Sequence, residues 1–393
     1  MRPVRIAHLS DTHLGYRAFY KADPQTGRNQ RSVDVERAYE TVISDILTRN
    51  VDLVIHSGDV FHHTRPTYAA MRAFVRQTRR LEEAGLPVLV IAGNHDTPRL
   101  RASGSVFSVL ELALPKVRFV TGYDQETIPY ESLNLVVCAV PHGRLAEPVP
   151  PTVFPEPGAI NVLVTHGLVP NLEIRGRQRE LGEEELTEVM LDPEFDYIAL
   201  GHYHEAMKPR QNAWYAGSTE RMGWGDERVQ PGYWLVELSG PGQPPEVTRV
   251  PIETRPMRTL PSVNGEGYDA RDIADRVLKM LEDLGQPDAI ARVELRHTPR
   301  PIRLEAERIL RNEAQKFVWW LQVYSPADIL APFSRGGEPI SADIGEMFDA
   351  FVTEREKEYD PAFAAAFRQR GRRALEEAMR EADAAGATED AVA

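Results

Sequence analysis

Short apolar runs alternate with longer amphipathic stretches over the first two thirds of this 393-residue chain. The runs are rich in β-branched or aromatic residues, which is typical of buried strands, and they lie at 4–9, 52–56, 87–92, 133–140, 160–164, 197–200 and 214–216. Residues 33–50 and 68–84 have the spacing of amphipathic helices. This order predicts an α/β fold in which strands and helices alternate in a layered sandwich.

The remainder of the chain has a different organisation. A turn-rich segment, GPGQPPE at 240–246, follows a predicted strand at 233–238 and indicates that a first domain covers 1–246. Beyond it we predict an α+β cap domain over 247–326, with a first strand from about 247, helices at 269–284 and 304–313, and strands at 291–296 and 317–324. Residues 327–393 are expected to form a linker and C-terminal helices.

The composition limits the classes of function. A net charge of −13 argues against binding nucleic acid by bulk positive charge, but residues 340–393 alone hold 7 Lys or Arg against 13 Asp or Glu. A pair of divalent metal ions would also add a positive field that this count omits. With no apolar run of 18 residues and no signal-peptide core at the start, we expect a soluble cytoplasmic protein. The single cysteine, Cys138, is expected to be a free core thiol.

Clusters of potential metal ligands directly follow five of the apolar runs. They are Asp11-x-His13, Gly58-Asp59, Gly93-Asn94-His95-Asp96, His166 and Gly201-His202-x-His204. Since sites in open α/β sheets gather at the carboxyl ends of strands, these side chains should converge in one crevice. As core filling they would bury charges without partners, so a metal or catalytic site is the better interpretation. The mixed oxygen and imidazole set suits Mn, Fe or Zn better than Mg or Ca.

The order of these motifs resembles that of the calcineurin-like metallophosphoesterases over about residues 1–220. Within that superfamily the chain is similar to the bacterial SbcD nucleases and the Mre-type break-repair nucleases, through SDTHLG at 10–15, HSGDVFH at 56–62, AGNHD at 92–96 and GHYH at 201–204. The resemblance implies a two-sheet metallophosphoesterase sandwich flanked by helices, with the cap domain and a helical tail.

The resemblance also divides the ligands between two metal ions that share one carboxylate. The first ion would be held by Asp11, His13 and His204, the second by Asn94, His166 and His202, and both by Asp59. Manganese is the expected metal, with iron or zinc as alternatives. Two such ions can hold a phosphodiester between them and activate water as the nucleophile.

Other residues near the motifs are expected to act on substrate. His95 follows a ligand without being one in the family pattern, so we expect it to stabilise the transition state or protonate the leaving oxygen. Asp96 could orient His95 or could equally well make a turn hydrogen bond. His62 matches a histidine that contacts substrate in this family. His63 and His142 lack such a match, and a surface or structural role is expected for both.

Contacts to DNA are expected in the loop after the first motif. There, aromatic and basic side chains interleave, as they do in loops that touch a nucleic-acid backbone, although a solvated loop is an equally good interpretation. The candidates are Arg17, Tyr20, Arg28 and Arg31. Further candidate phosphate contacts are Arg175, Arg177, Arg179 and Arg221, the last near Trp224.

The resemblance implies exonuclease action on double-stranded ends and endonuclease action on single strands and hairpins, in DNA break repair and recombination. No Walker-type motif occurs, so the SbcC-type, SMC-like ATPase partner would be a separate chain. An apolar stripe predicts a helix that either docks this partner or packs on the cap; its members are Ile344, Met347, Phe348, Phe351 and Val352. Residues 68–84 and 99–114 correspond to the homodimer contacts of the family, although here they could pack internally.

Two other functions remain open on the sequence alone. A phosphoprotein or small-molecule phosphatase would use the same two-metal core, and the acidic net charge favours it, whereas the cap and tail argue against it. A non-catalytic scaffold that binds DNA ends would be expected to lack at least one metal ligand, and none is missing.

Overall fold

The computed structural model describes residues 2–98, 100–172, 183–191 and 194–325, followed by 348–349, 352–353, 361 and 365–373. By its internal contacts the chain divides into two units, 1–323 and 324–393. In the described residues, no helix has the length and apolar character needed to cross a membrane.

The strands of the larger unit are β1 (Val4–Leu9), β2 (Leu53–His56), β3 (Val88–Ile91), β4 (Val117–Val120), β5 (Glu126–Tyr130), β6 (Leu135–Val140), β7 (Ile160–His166), β8 (Tyr197–Gly201), β9 (Met207–Arg210), β10 (Ala213–Tyr215), β11 (Gly232–Leu238), β12 (Glu246–Pro251), β13 (Met257–Thr259), β14 (Val263–Asn264), β15 (Ile290–Arg296) and β16 (Trp320–Tyr324). The helices are α1 (Gln30–Ile46), α2 (Tyr68–Glu83), α3 (Phe107–Ala113), α4 (His142–Leu145), α5 (Ala270–Leu284) and α6 (Arg300–Glu313).

Two six-stranded sheets form the body of this unit. The first has the order β12-β11-β1-β2-β3-β4, in which β1 to β4 are parallel and β11 and β12 are added antiparallel. The second has the order β5-β6-β7-β8-β10-β9, with β6, β7, β8 and β10 parallel. Apart from β4, which forms one edge of the first sheet, these parallel strands lie inside the sheets, where strands are covered on both faces.

Side-chain alternation explains why the central strands are apolar on both faces. In β2, Leu53 and Ile55 belong to the core between the two sheets, together with residues of β7 such as Val162. Val54, between them, points to the other face and packs in the cluster that contains Tyr39 of α1 and Phe74 of α2. The predicted α/β sandwich of two sheets flanked by helices is therefore confirmed.

The strands that the sequence pattern did not predict in the two large sheets include the edge strands β4, β5 and β9. They carry charged residues, and β5 and β9 also contain proline, which edge positions tolerate because one side of the strand needs no ladder hydrogen bonds. The cap was predicted to begin with a strand from about residue 247. That strand is β12, and its assignment to the cap was wrong. It pairs with β11 in the first sheet, with Val247 opposite Val236.

The segment from Met257 to Tyr324 forms a smaller layered structure. Strands β13, β14 and β16 pair with β15, and α5 and α6 cover them through an apolar cluster that includes Val277, Leu310 and Val293. Contacts group this segment with the two large sheets, so its separation as a cap domain stays a prediction.

In the second unit, the described residues at 348–349, 352–353, 361 and 365–373 are helical. The rings of Phe348 and Phe367 lie 5.8 Å apart, and a Cβ at Gly371 would lie 2.1 Å from Phe348 Cζ. Phe348 of the predicted apolar stripe thus packs inside this unit, and Val352 is buried as well. The other stripe residues, Ile344, Met347 and Phe351, lie outside the described residues.

Candidate active site

The predicted ligands lie in the loops after β1, β2 and β3 of the first sheet and after β8 of the second, except for His166, which is the last residue of β7. Backbone hydrogen bonds tie the first two loops together, since Asp11 N donates to Gly58 O at 3.0 Å and His13 N donates to Asp59 O at 3.1 Å. The carboxyl ends of the central strands thus bring together residues from five distant parts of the sequence.

The ligands predicted for the first metal ion lie next to one another. One ligand atom from each of Asp11, His13 and His204 falls within 4.8 Å of the others, and the Nε2 atoms of His13 and His204 are 3.1 Å apart. His13 Nε2 also lies 3.6 Å from Asp59 Oδ2. These distances suit donors that point at a common centre.

The ligands predicted for the second metal ion also lie next to Asp59. His166 Nε2 is 3.4 Å from the same atom, Asp59 Oδ2, and 3.0 Å from Asn94 Oδ1. His202 Nδ1 lies 3.3 Å from Asn94 Oδ1. The structure therefore brings all seven predicted ligands together and puts Asp59 Oδ2 between His13 and His166, where a bridging carboxylate would lie.

Three hydrogen-bond partners that the sequence analysis missed orient the imidazoles. His166 Nδ1 lies 2.8 Å from Ser57 O, His202 Nε2 lies 2.9 Å from Glu183 Oε1, and His204 Nδ1 lies 2.8 Å from Asp226 Oδ2. Such partners fix which ring nitrogen faces a metal. No motif marks Glu183 or Asp226, because both come from loops whose approach depends on the fold.

The donor chemistry shows that these residues fit a cation. Ser57 O can only accept a hydrogen bond, so the neutral ring of His166 carries its proton on Nδ1 and a lone pair on Nε2. That lone pair faces the Asp59 carboxylate. Asp11 Oδ1 is buried without a hydrogen-bond partner in the described part of the chain, and the Nε2 atoms of His13 and His204 face each other at 3.1 Å. Lone pairs on carboxylate oxygens and ring nitrogens repel one another when they are buried together, so a proton or a metal cation is needed between them.

Ionisation in the metal-free chain reflects this requirement. Burial lowers the pKa of His166, but the charge and hydrogen bond of Asp59 outweigh burial and raise that pKa to about 9. Burial raises the pKa of Asp59, yet the neighbouring His166 and His13 bring it well below its ordinary value. A proton on His166 thus takes the place of a metal charge.

His95 lies beside the predicted ligands. Its backbone N–H donates to Asp59 Oδ1 at 2.9 Å, and its Nδ1 lies 3.0 Å from the His62 carbonyl, which must accept. Only Nε2 is then left to meet a substrate in the cavity that His95 lines. By distance alone, His13, His62 and His95 could also hold a metal, so metal content must be measured to separate the two roles.

Asp96 is a positioning residue for the surrounding loops. It is almost fully buried, and its carboxylate accepts from the backbone N–H groups of Val60 at 2.9 Å, Phe61 at 2.9 Å and Gly93 at 3.1 Å. The contact with Gly93 is a turn hydrogen bond, which is one of the two roles predicted for Asp96, whereas the contacts with Val60 and Phe61 tie the loop after β3 to the loop after β2. The orientation of His95 comes instead from the His62 carbonyl.

The remaining histidines surround the cavity. The ring of His62 lies 5.4 Å from that of His95 in a stacked arrangement, with Tyr16 at 5.1 Å and His63 at 4.5 Å. Burial, with His63 and His95 nearby, lowers the pKa of His62 to about 4, so His62 is neutral at pH 7. His142, for which a structural or surface role was predicted, is buried and lines the same cavity.

Glycines in three of the motifs are required by space. A Cβ at Gly93 would lie 2.2 Å from Asp59 Oδ1, and a Cβ at Gly201 would lie 2.1 Å from Ser57 O. At Gly58, which has a φ of +98°, a Cβ would lie 2.4 Å from His166 Nδ1. The G-D, G-N-H-D and G-H-x-H motifs therefore carry glycine because the ligand loops pack against one another without room for a side chain.

Several predicted ligands have left-handed backbone conformations. Asp11, His13 and Asp59 have φ values of 50°, 43° and 55°, and His202 has a φ of 118°. Such conformations are uncommon for residues other than glycine. They persist where the surrounding structure holds a functional group in place despite the unfavourable backbone conformation.

The residues predicted to contact DNA have different surroundings. Arg17 and Tyr20 are exposed, whereas Arg28 pairs with both carboxylate oxygens of Glu36. The prediction for Arg31 was wrong. It is completely buried and pairs with Asp34 at 2.7 Å, so it fixes the loop and cannot reach a substrate.

Arg221, another predicted phosphate contact, is also engaged within the protein. Its guanidinium donates to Thr254 Oγ1 at 2.7 Å. Arg175, Arg177 and Arg179 lie outside the described residues.

Comparison with known proteins gives the class of this chain. Residues 4–206 match the family described as calcineurin-like phosphoesterase, and the chain belongs to that family. It is therefore a metal-dependent phosphoesterase.

Within this class the similarity is to proteins named DNA double-strand break repair protein Mre11. The chain is 32% identical to the one from Haloferax volcanii over 75% of this chain and 61% of that protein. For Methanosarcina mazei the identity is 29% over 72% and 44%. The match thus spans less than two thirds of either relative. The solved structure of TT1561 of Thermus thermophilus is a distant likeness, with a TM-score of 0.36 and 14% identity over 63% of this chain and 99% of that one.

Gly93→Ala should disrupt metal binding, because the added Cβ displaces the Asp59 carboxylate from its shared position. We expect the variant to lose at least one of two Mn²⁺ ions when metal content is measured by mass spectrometry after dialysis. Gly240→Ala is the matched control, since a Cβ there meets nothing within 4 Å. Two retained ions in Gly93→Ala would contradict this account of the motif.

Metal binding should release a proton from His166, whose pKa in the metal-free chain is raised to about 9. Below that pH the ring is protonated and the metal must displace the proton, so affinity should weaken as pH falls. Calorimetric titration with Mn²⁺ at pH 7.5 in two buffers of different ionisation enthalpy should give different heats. At pH 10 the contribution of His166 should vanish, and buffer-independent heats at pH 7.5 would refute the prediction.

Proposed function

We propose that this chain is a metal-dependent DNA nuclease that hydrolyses phosphodiesters in DNA break repair and recombination. Its expected activities are exonucleolytic attack on double-stranded ends and endonucleolytic cleavage of single strands and hairpins. The observation that carries the proposal is the position of Asp59 Oδ2 between two sets of imidazole and oxygen donors. The similarity to Mre11 proteins over about three quarters of the chain supports DNA as the substrate.

The donor set supports two divalent ions, with Mn²⁺ as the expected metal and Fe²⁺ or Zn²⁺ as alternatives. Asp11, His13 and His204 would hold one, Asn94, His166 and His202 the other, and Asp59 both. Together the ions would supply Lewis-acid polarisation of the phosphodiester and activation of water. Glu183, Ser57 and Asp226 keep the ring nitrogens directed at these positions.

His95 is the proposed catalytic residue of the protein itself. Its Nδ1 is held by the His62 carbonyl, so Nε2 can stabilise charge on the phosphoryl group or protonate the leaving oxygen. His62, neutral and stacked on His95, would contact the substrate. Arg17 and Tyr20 are the exposed candidates for contacts to DNA.

Partners are proposed on the same basis. An SbcC-type ATPase would dock on the C-terminal helices, and the protein would act at the nucleoid in the cytoplasm. A homodimer is supported by exposed apolar side chains on and near α2 and α3, namely Tyr68, Leu100, Val109 and Leu112. The segment 247–326 would contact the DNA.

The test of the activity is degradation of end-labelled linear duplex and hairpin DNA with Mn²⁺ by the full chain. We expect metal-dependent cleavage that is abolished in Asp59→Asn, because the shared carboxylate is lost. Asp283→Asn, which alters an exposed carboxylate on α5, is the matched control and should cleave like the wild type. Hydrolysis of a generic phosphomonoester alone would favour a phosphatase, and inactivity on all substrates would favour an obligatory partner or a scaffold.

His95→Ala should separate catalysis from metal binding. Because general acid–base catalysis typically contributes about 10² to 10⁴ in rate, we expect kcat for DNA cleavage to fall by that order while two Mn²⁺ ions remain bound. Metal content and single-turnover rates check both halves of the prediction. A lost metal ion would instead make His95 a ligand, as its distance to His13 and His62 allows.

A further inference from the structure

A cavity of about 680 Å³ lies between the loop after the first metal motif and the last strand, β16. Its walls include Phe19 and Tyr20 of that loop, Trp320 of β16 and Arg311 of α6. The side chain of Tyr20 is fully exposed. Such exposure is unusual for a large aromatic side chain, because the ring then gains nothing from packing within the protein. The volume lies in the range of sites for small ligands, roughly 300 to 1,000 Å³.

The shape of this cavity is fixed by contacts on its inner side. Lys21 Nζ donates to Trp319 O at 2.6 Å, and the ring of Phe19 lies 5.5 Å from that of Trp320. Asn29 Nδ2 donates to Phe19 O at 2.7 Å and holds the loop from the side of α1. Phe19 has a φ of 54°, so its backbone conformation is imposed by these contacts.

The chemistry of the cavity is aromatic and cationic. Lys21 Nζ lies 4.9 Å and the Arg255 guanidinium 4.5 Å from the centre of the Trp319 ring. This indole is therefore already in contact with two cations of the protein. Trp320 contacts Phe19 but also lines the cavity beside the exposed Tyr20, so these two rings are the ones available to a ligand. Arg311 supplies a further positive charge on the wall, and Glu307 is the acidic group there. Flat rings beside cations are the features with which proteins bind single-stranded nucleic acid.

The cavity lies close to the proposed active site along the chain. Tyr16 contacts His62, and the four residue-to-residue steps from Tyr16 to Tyr20 can span at most about 14 Å. That distance is about four stacked nucleotides at 3.4 Å each. A DNA strand held at the metal site could therefore reach the cavity with a nucleotide a few positions away.

We propose that this cavity binds an unpaired nucleobase of the DNA substrate, stacked on Tyr20 and Trp320, with its phosphate near Lys21 and Arg311. The proposal rests on the nuclease function proposed above. A paired base already stacks on neighbours within the duplex and would have to be unstacked at a cost of a few kcal/mol to enter. The site would therefore favour single strands, overhangs and hairpin loops over blunt duplex.

The test measures binding of the full chain to fluorescent DNA by anisotropy in EDTA, which prevents cleavage. Stacking energies imply that Tyr20→Ala should weaken binding of single-stranded DNA roughly 5- to 150-fold, with little change for blunt duplex, while Tyr20→Phe retains the ring and the affinity. Trp320→Leu should act in the same direction. Phe154→Ala, which removes another exposed aromatic ring, is the matched control and should bind like the wild type.

Photocrosslinking gives an independent readout. Single-stranded DNA carrying 5-iodouracil at successive positions should crosslink to Tyr20 or Trp320 at one narrow range of positions. Equal affinities of wild type, Tyr20→Ala and Trp320→Leu for single strands, or crosslinks only elsewhere, would overturn the site even if the chain cleaves DNA. If the wild type neither binds nor cleaves DNA, the proposed function itself fails. A cavity that binds a protein segment instead would give no crosslink and would also overturn the proposal.

Discussion

The sharing of one carboxylate oxygen by two histidines is the interaction on which the site depends. Asp59 Oδ2 lies 3.6 Å from His13 Nε2 and 3.4 Å from His166 Nε2, so loops from both sheets must meet at one atom. Gly58, Gly93 and Gly201 allow that approach because they leave no Cβ between the loops. The glycine of each motif and the ligand that follows it are thus two parts of one constraint.

This constraint has an energetic cost that the rest of the fold must offset. A buried carboxylate oxygen without a partner, such as Asp11 Oδ1, is unfavourable without a cation. The left-handed backbone conformations of the ligand residues add to this cost. The apolar core between the sheets, directly below the loops, is well placed to hold them in this geometry. A bound metal would then stabilise the folded chain by mass action, since it binds the assembled site and not the separated loops.

The convergence of the ligands could be predicted from sequence because each cluster follows a strand, and strand ends meet in space. The supporting residues could not. Glu183 and Asp226 reach their histidines only through loop positions that no local pattern specifies. Arg31 was misjudged for the same reason. Arg31 was expected in an exposed polar loop, but it lies in the first turn of α1. There Asp34 pairs with Arg31 and also with Arg255 at 2.9 Å, and this long-range pair helps to bury the surroundings of Arg31.

The segment from Asp11 to Asp34 also links the proposed metal site to the structure beyond Met257. Its first part carries Asp11 and His13, Tyr16 contacts His62, and Phe19 packs against Trp319 and Trp320. Tyr16 and Phe19 are three positions apart in the same loop, so the contact with His62 and the contacts with Trp319 and Trp320 are joined by a short stretch of backbone. Under the nuclease function proposed above, residues that bind a DNA strand near Phe19 would therefore also affect the position of the substrate beside His62.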